Sequence, residues 1–258
     1  MAYRSLREFL DRLERAGELT RVREAVNLNL DMAALADRAA KQEGPALLFE
    51  RPSSGELPVA MNLFGTRRRT SWALSCGDFE EPARELRELL HLAPPQGLWE
   101  KLKMIPRLGK LASFTPRHVS GGPAQEVVDR EPDLSRLPVL TTWPHDGGPF
   151  ITLPQVVTRD PETGLRNVGM YRLQVLGPRR LAMHWQLHKT ATAHYRGYRK
   201  RGERMPVAIA LGDDPALTYC ASAPLPPNVD EYLFAGFLRG EAVRMVKGVA
   251  TGLDVPAD

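Results

Sequence analysis

Cysteine is scarce in this chain: of 258 residues only Cys76 and Cys220 are cysteine. Neither belongs to a CxxC pair or a zinc-ligand spacing. That excludes a disulfide framework and a zinc knuckle, and predicts reduced thiols in a cytoplasmic protein. Long apolar runs are missing too. No stretch approaches the roughly 18 apolar residues of a membrane span. The N-terminal MAYRSLREFLDRLE is charged from Arg4 onward and lacks the apolar core of a signal peptide. Neither sign of charge dominates, since 35 Lys and Arg against 31 Asp and Glu leave +4. Such a balance suits a phosphate or carboxylate ligand and does not by itself indicate nucleic acid. The most basic tract, residues 196–204 (RGYRKRGER), has only Tyr195 and Tyr198 beside it for stacking, so it reads as a solvated helix face or loop. Arg67-Arg68-Arg69 reads the same way, with anion contact as the lesser alternative. No internal repeat is present.

With 43% hydrophobic residues there is enough apolar side chain for one large domain or two modest ones. Residues 5–16 pattern as an amphipathic helix, with a Ser5/Glu8 capping box, an apolar face of Leu6, Phe9, Leu10 and Leu13, and Gly17 as its stop. Thr20–Val26 alternates like an edge strand. Asp31 can cap a second helix through about Glu43 with Leu35, Ala36 and Ala39 inward, and Gly44-Pro45 ends it. Ala46–Phe49 reads as a buried strand and Pro58–Met61 as another. Alternation of helices and strands predicts an N-terminal α/β layer domain over residues 1–79. Residues 80–122 are rich in Leu, Glu, Arg and Pro and read as a helical connector, with helices at Glu81–Leu90 and Leu98–Ile105 around Pro94-Pro95. From 123 to 258 the pattern turns to short strands with Gly/Pro turns: Glu126–Val128, Ile151–Val157, a hairpin, Val207–Leu211 and Leu217–Ser222. The fold class is thus α+β, with a barrel or sandwich in the second part.

The hairpin, Asn167 to His188 (NVGMYRLQVLGPRRLAMHWQLH), concentrates polar chemistry. Val168, Met170, Tyr171, Leu173 and Val175 form strands, Gly177-Pro178 breaks the run, and Leu181–Leu187 resumes it. Period-two geometry points His184, Gln186 and His188 the same way. Asn167 and Arg172, five apart, share a site only if the strand is broken between them, and Gly169 is the residue that permits the break. The competing reading is a structural hairpin with polar residues outward and one satisfied core histidine.

This stretch resembles the signature of the UbiD family, decarboxylases that use prenylated FMN. The likeness extends to Asn62-Leu63-Phe64-Gly65, to Leu137–Pro154 (LPVLTTWPHDGGPFITLP), to Thr158-Arg159-Asp160-Pro161 and to Ala216–Gly240 (ALTYCASAPLPPNVDEYLFAGFLRG). It covers essentially the whole chain. The resemblance implies a flavin-binding split β-barrel over 123–258. It also implies metal ligands at Asn167, His188 and Glu231, an amide, an imidazole and a carboxylate suited to Mn²⁺ or Mg²⁺, with K⁺ as a further ion. Asp230 is the adjacent alternative to Glu231. On its residues alone Glu231 is a helix N-terminal acid before Tyr232–Phe237. Cofactor contacts are implied for Met170, Tyr171, Arg172, His184, Trp185, Gln186, Lys189 and Thr190, with Ser222 and Pro224 lining the pocket. Arg172 is the implied catalytic residue, its guanidinium fork suited to a substrate carboxylate. His145 and Asp146 read as shaping a turn, and His194 as a surface histidine.

The implied activity is reversible, non-oxidative decarboxylation of an aromatic or α,β-unsaturated acid, a quinone-pathway arylcarboxylate being the commonest example. The implied partners are the acid, a flavin prenyltransferase that supplies the cofactor, and further copies of the full-length chain. One departure stands out. The family's later motif, of the EGPFGDHTGYY kind, carries the glutamates that work with the arginine, and it is absent from these 258 residues. The expectation is a chain that lacks the C-terminal part and its proton donor. The alternative reading is an inactive fragment or partner subunit that only binds flavin.

Overall fold

A computed structural model describes residues 2–90, 109–226 and 228–258 of the chain. The helix expected at Leu98–Ile105 lies outside the described residues. The first helix, α1 (Leu6–Arg15), forms as its sequence dictates: Ser5 Oγ accepts from Glu8 N at 3.4 Å, Phe9 and Leu13 are buried, and Gly17 turns the chain away at φ 71°. Strand β1 (Leu19–Val26) runs parallel to β2 (Ala46–Pro52), and β3 (Val59–Met61) pairs antiparallel on the other side, so β1 is an edge. The first four residues of β2 are all buried, as expected of a central strand. Helix α2 (Asp31–Lys41) covers this sheet with Met32 and Ala36 against Phe49.

Three details of this layer depart from the sequence reading. Leu30, at φ 71°, holds the N-cap position of α2 without a side-chain cap, and Asp31 is the first helical residue. Leu35 is exposed because the inward stripe runs through Met32 and Ala36. Of the arginine run on α3 (Arg67–Ala73), only Arg67 and Arg68 face solvent. Arg69 is fully buried, its Nη1 2.8 Å from Glu18 Oε2. Arg69 shares a helix face with Ala73, four residues on, and a charge can lie there because Glu18 pairs with it.

Helix α4 (Glu80–Leu90) begins the connector, and β4 (Arg117–His118) ends it by pairing parallel with β11 (Arg244–Lys247), which also pairs with β12 (Asp254–Pro256). Strand β6 (Gln155–Arg159) lies between β7 (Arg166–Gly169) and β10 (Ala208–Ala210). A further sheet takes β5 (Phe150–Ile151), β8 (Leu173–Gly177) and β9 (Arg180–Met183). Among the described residues the strands make four three-stranded sheets, and no closed barrel. Helices α5 (Thr190–Lys200), α6 (Pro215–Cys220) and α7 (Glu231–Arg239) complete this region. The core beneath the site joins Val157, Val168, Leu217, Cys220, Tyr232, Ala235 and Met245. Tyr232, fully buried, donates its hydroxyl to Gln155 Oε1 at 3.2 Å, which keeps that hydroxyl from costing burial energy.

Several expected strands take other forms. Leu217–Cys220 lies in helix α6, with Ala221 and Ser222 in the turn after it; Asp214 caps Ala216 N at 2.7 Å and Pro215 opens the first turn. Among the described residues Glu126–Val128 finds no partner strand; it follows a short 3₁₀ turn, leaving Val127 exposed. Ile151–Val157 splits between β5 and β6, two different sheets, because Pro154 cannot donate to a ladder. The N-terminus is tied to this second part: Tyr3 N donates to Asp214 Oδ2, Arg239 Nη2 donates to Tyr3 O, and Arg239 pairs with buried Asp214 at 2.8 Å.

Candidate cofactor and metal site

The break expected at Gly169 is real. Strand β7 ends there, and β8 starts at Leu173 in a different sheet. Gly169 is required by close approach: a Cβ on it would lie 2.4 Å from the Tyr171 ring, which folds back over it. Met170 N donates to Ala221 O at 2.8 Å, fastening the break to the end of α6. Asn167 stays in the ladder opposite Thr158, and Arg172 lies in the break, outside both strands.

On the Asn167 side an ion pair sets the geometry. Arg166 Nη2 donates to Asp230 Oδ2 at 2.5 Å, with its guanidinium 5.0 Å over the Tyr232 ring. The same Asp230 caps α7 by accepting from Tyr232 N at 2.8 Å. With Asp230 so engaged, the next residue, Glu231, turns toward β7, where its Oε2 accepts from Val168 N at 3.0 Å. Asn167 and Glu231 thus line one cavity of about 580 Å³ together with Met170, Tyr171, Lys189, Thr190, Ser222 and Pro224. Asn167 is 8% exposed with the Tyr171 hydroxyl beside its amide, and among the described residues its Nδ2 completes no hydrogen bond. Burial pushes Glu231 up to about 7, the Val168 N–H opposing this. Burial also raises Tyr171.

The rest of the expected site lies elsewhere. Strand β9 ends at Met183, so His184, Gln186 and His188 do not share a strand face. The chain instead turns toward α5, with Lys189 N donating to Gln186 O at 3.1 Å. All three are exposed, and none lines the cavity. Trp185 packs edge-on against Tyr171, ring centroids 6.3 Å apart. Arg172 does not line the cavity either. Its Nη1 and Nη2 donate to Asp146 Oδ1 and Oδ2 at 3.2 and 2.9 Å, and its Cζ stands 4.1 Å over the Phe150 ring. Asp146 does shape a turn, accepting from Trp143 N. It is also held below the usual carboxylate range, chiefly by the Arg172 hydrogen bonds.

His194 corrects the surface reading. It is 5% exposed, lines the cavity, and its Nδ1 lies 3.0 Å from the Oγ1 of fully buried Thr158. Burial lowers its pKa, with the nearby Asp160 carboxylate opposing this. Its spacing from Ala191, three residues earlier on α5, was the signal for an inward histidine. The basic tract that follows is solvent-facing, as expected. The Arg166–Asp230 pair left no sequence signal, because its partners are 64 residues apart.

Comparison with known proteins settles the family. Residues 117–258 match the 3-octaprenyl-4-hydroxybenzoate carboxy-lyase Rift-related domain, and residues 10–92 match the N-terminal domain of the same carboxy-lyase. This chain belongs to the UbiD family. Among solved UbiD-class structures, an evolved dimeric form of HmfF from Pelotomaculum thermopropionicum, in complex with prFMN, is 30% identical with a TM-score of 0.83, covering 99% of this chain and 55% of that one. The closed form of vanillic acid decarboxylase from Sedimentibacter hydroxybenzoicus is 29% identical with a TM-score of 0.84, covering 100% of this chain and 53% of that one. An uncharacterized protein of Aquifex aeolicus is 44% identical over 259 residues, which is 99% of this chain and 53% of that protein. The chain spans about half the length of the relatives it matches. No helix among the described residues is long and apolar enough to cross a membrane.

Proposed function

We propose that this UbiD chain provides the prenylated-FMN- and metal-binding part of a decarboxylase acting on an aromatic or α,β-unsaturated carboxylic acid. The observation that carries this reading is the convergence of Asn167 and Glu231, 64 residues apart, on one cavity through the Arg166–Asp230 pair and the Val168–Glu231 hydrogen bond. The donor set fits a hard divalent ion such as Mn²⁺ or Mg²⁺. Glu231 is a half-buried carboxylate whose neighbouring guanidinium, Arg166, is already paired with Asp230, and Asn167, which lines the same cavity, has an amide oxygen of the hard-ligand kind. His188, the third ligand of this reading, stands in the exposed turn leading into α5.

Lys189 and Thr190, at the N-terminus of the eleven-residue helix α5, line the same cavity and suit the phosphate of a flavin nucleotide. Bound there, prenylated FMN would supply the electron sink for cleaving the carbon–carbon bond to the carboxylate. The chain's own contribution is positioning and charge. Arg172 holds and orients the substrate carboxylate, and the packed layer of Tyr171 and Trp185 excludes water from the break between β7 and β8. The proton that replaces CO₂ needs an acid of raised pKa. The carboxyl beside Arg172 is Asp146, which Arg172 keeps ionised, so that acid comes from a group other than Asp146. A chain that binds flavin without turning over is the second reading, favoured by the same observation about Asp146.

Manganese titration monitored by electron paramagnetic resonance tests the site. One ion per chain is expected, with binding lost in Asn167→Ala and in Glu231→Gln and kept in His145→Ala. Unchanged binding in both site variants would reject the assignment.

A further inference from the structure

Arg172 is the residue to which the proposed function gives the substrate carboxylate, yet its guanidinium already holds one. The contact is end-on: Nη1 meets Asp146 Oδ1 at 3.2 Å and Nη2 meets Asp146 Oδ2 at 2.9 Å. A guanidinium has five N–H bonds in a rigid plane, and an end-on pair uses one from each terminal nitrogen. Three N–H bonds remain, and two of them, the Nε–H and the outward Nη2–H, lie side by side along the Nε–Nη2 edge and form a second fork of the same shape. The face of the cation is covered by Phe150 at 4.1 Å. One edge and one face are therefore occupied, and among the described residues Nε makes no hydrogen bond.

The two partners are also unequally placed. Asp146 has a side chain 11% exposed against 39% for Arg172. Its Oδ2 accepts in addition from Trp143 N at 3.2 Å, and the loop it sits on is pinned by Gln174 Nε2 donating to Gly147 O at 2.6 Å. Asp146 is thus a fixed point, and Arg172 is the group that reaches out from it.

We infer that Asp146 is a positioning residue that stays on Arg172 throughout substrate binding, so that the arginine bridges two carboxylates: Asp146 end-on and the substrate side-on through its Nε–Nη2 edge. This rests on the reading of Arg172 as the carboxylate-binding residue. It assigns a task to the aspartate of the WPHDGGPF stretch. A carboxylate is specified by the direction of one edge, and an acid that can approach only end-on is rejected because that position is filled.

Side-chain arginine resonances in ¹⁵N-resolved spectra of the chain test it, with benzoate as the probe and Arg172→Lys to assign the signals. Pairing with Asp146 hinders rotation about Nε–Cζ, so free Arg172 should show resolved Nη protons, and Asp146→Asn should lose them. The Asn variant keeps an oxygen for Trp143 N–H. Should its loop nevertheless unfold, as amide shifts at Gly147 and Phe150 would report, the wild-type titration alone decides the matter. Benzoate is expected to shift Arg172 Nε–H while the resolved Nη signals persist. Collapse of the Nη signals as benzoate binds would show that Asp146 is displaced, and would overturn the inference while leaving Arg172 as the carboxylate ligand. No Arg172 shift at saturating benzoate would reject the reading of Arg172 itself, and the inference with it.

Discussion

Replacing Gly169 by alanine tests the geometry on which the site depends. An ideal Cβ at 169 would lie 2.4 Å from Tyr171 Cε2 and 2.5 Å from its Cζ and hydroxyl oxygen. Non-bonded carbons rest at about 3.5–4.0 Å, so the overlap exceeds one ångström and a small adjustment cannot relieve it. Tyr171 has little room to retreat, since it is buried and packs with Val156, Leu173 and Ala191 while Trp185 stands edge-on. Overpacking of this kind costs about 1–3 kcal/mol. Against it stands a gain of about 0.4–1 kcal/mol from the stiffer unfolded chain. A net loss of about 1–2 kcal/mol is expected, or about 2–8 °C in Tm at this size. Urea unfolding should show a lower midpoint with an unchanged slope. In a Tyr171→Leu background, where the ring is gone, the same substitution should cost less than about 0.5 kcal/mol. A neutral Gly169→Ala, or an equal cost in both backgrounds, would refute the reasoning.

Two other expectations follow from the same structure. Arg166→Met removes the partner of Asp230 and the cation over Tyr232; because Asp230 is partly exposed and keeps its cap bonds, a loss of about 2 kcal/mol is expected by urea unfolding, accompanied by weaker Mn²⁺ binding. Burial raises Asp213 to about 7, so the folded state favours its protonated form. Its contribution to stability is full below about pH 4 and is lost as pH rises through 7. Wild type should therefore lose stability relative to Asp213→Asn between pH 5 and 8, as parallel unfolding curves would show, and a constant difference would contradict the assignment.

Much of the N-terminal layer was legible in the sequence because its signals are local. Ser5, Gly17 and the all-apolar start of β2 each act within a few residues of themselves. Leu217–Ser222 was misread because its apolar residues suit a strand as well as a short helix, and the deciding Asp214-Pro215 start lies just outside it. Asn167 and Glu231, named through the family resemblance, line one cavity, and the break at Gly169 followed from the demands of strand period. What the sequence could not show is which residues the long-range pairs engage. Asp230 pairs with Arg166 across 64 residues, buried Arg69 pairs with Glu18, and Asp146, beyond shaping its turn, holds Arg172. His184, Gln186 and His188 were placed on one face by a period that holds only while a strand continues, and β9 stops at Met183.

Native mass spectrometry of the chain co-expressed with a flavin prenyltransferase and supplied with Mn²⁺ tests the central claim most directly. The account predicts a bound mass equal to prenylated FMN plus one metal ion, lost in Asn167→Ala and in Glu231→Gln. A chain that carries only its own mass under those conditions, or one that keeps the cofactor and the metal in both variants, would contradict it.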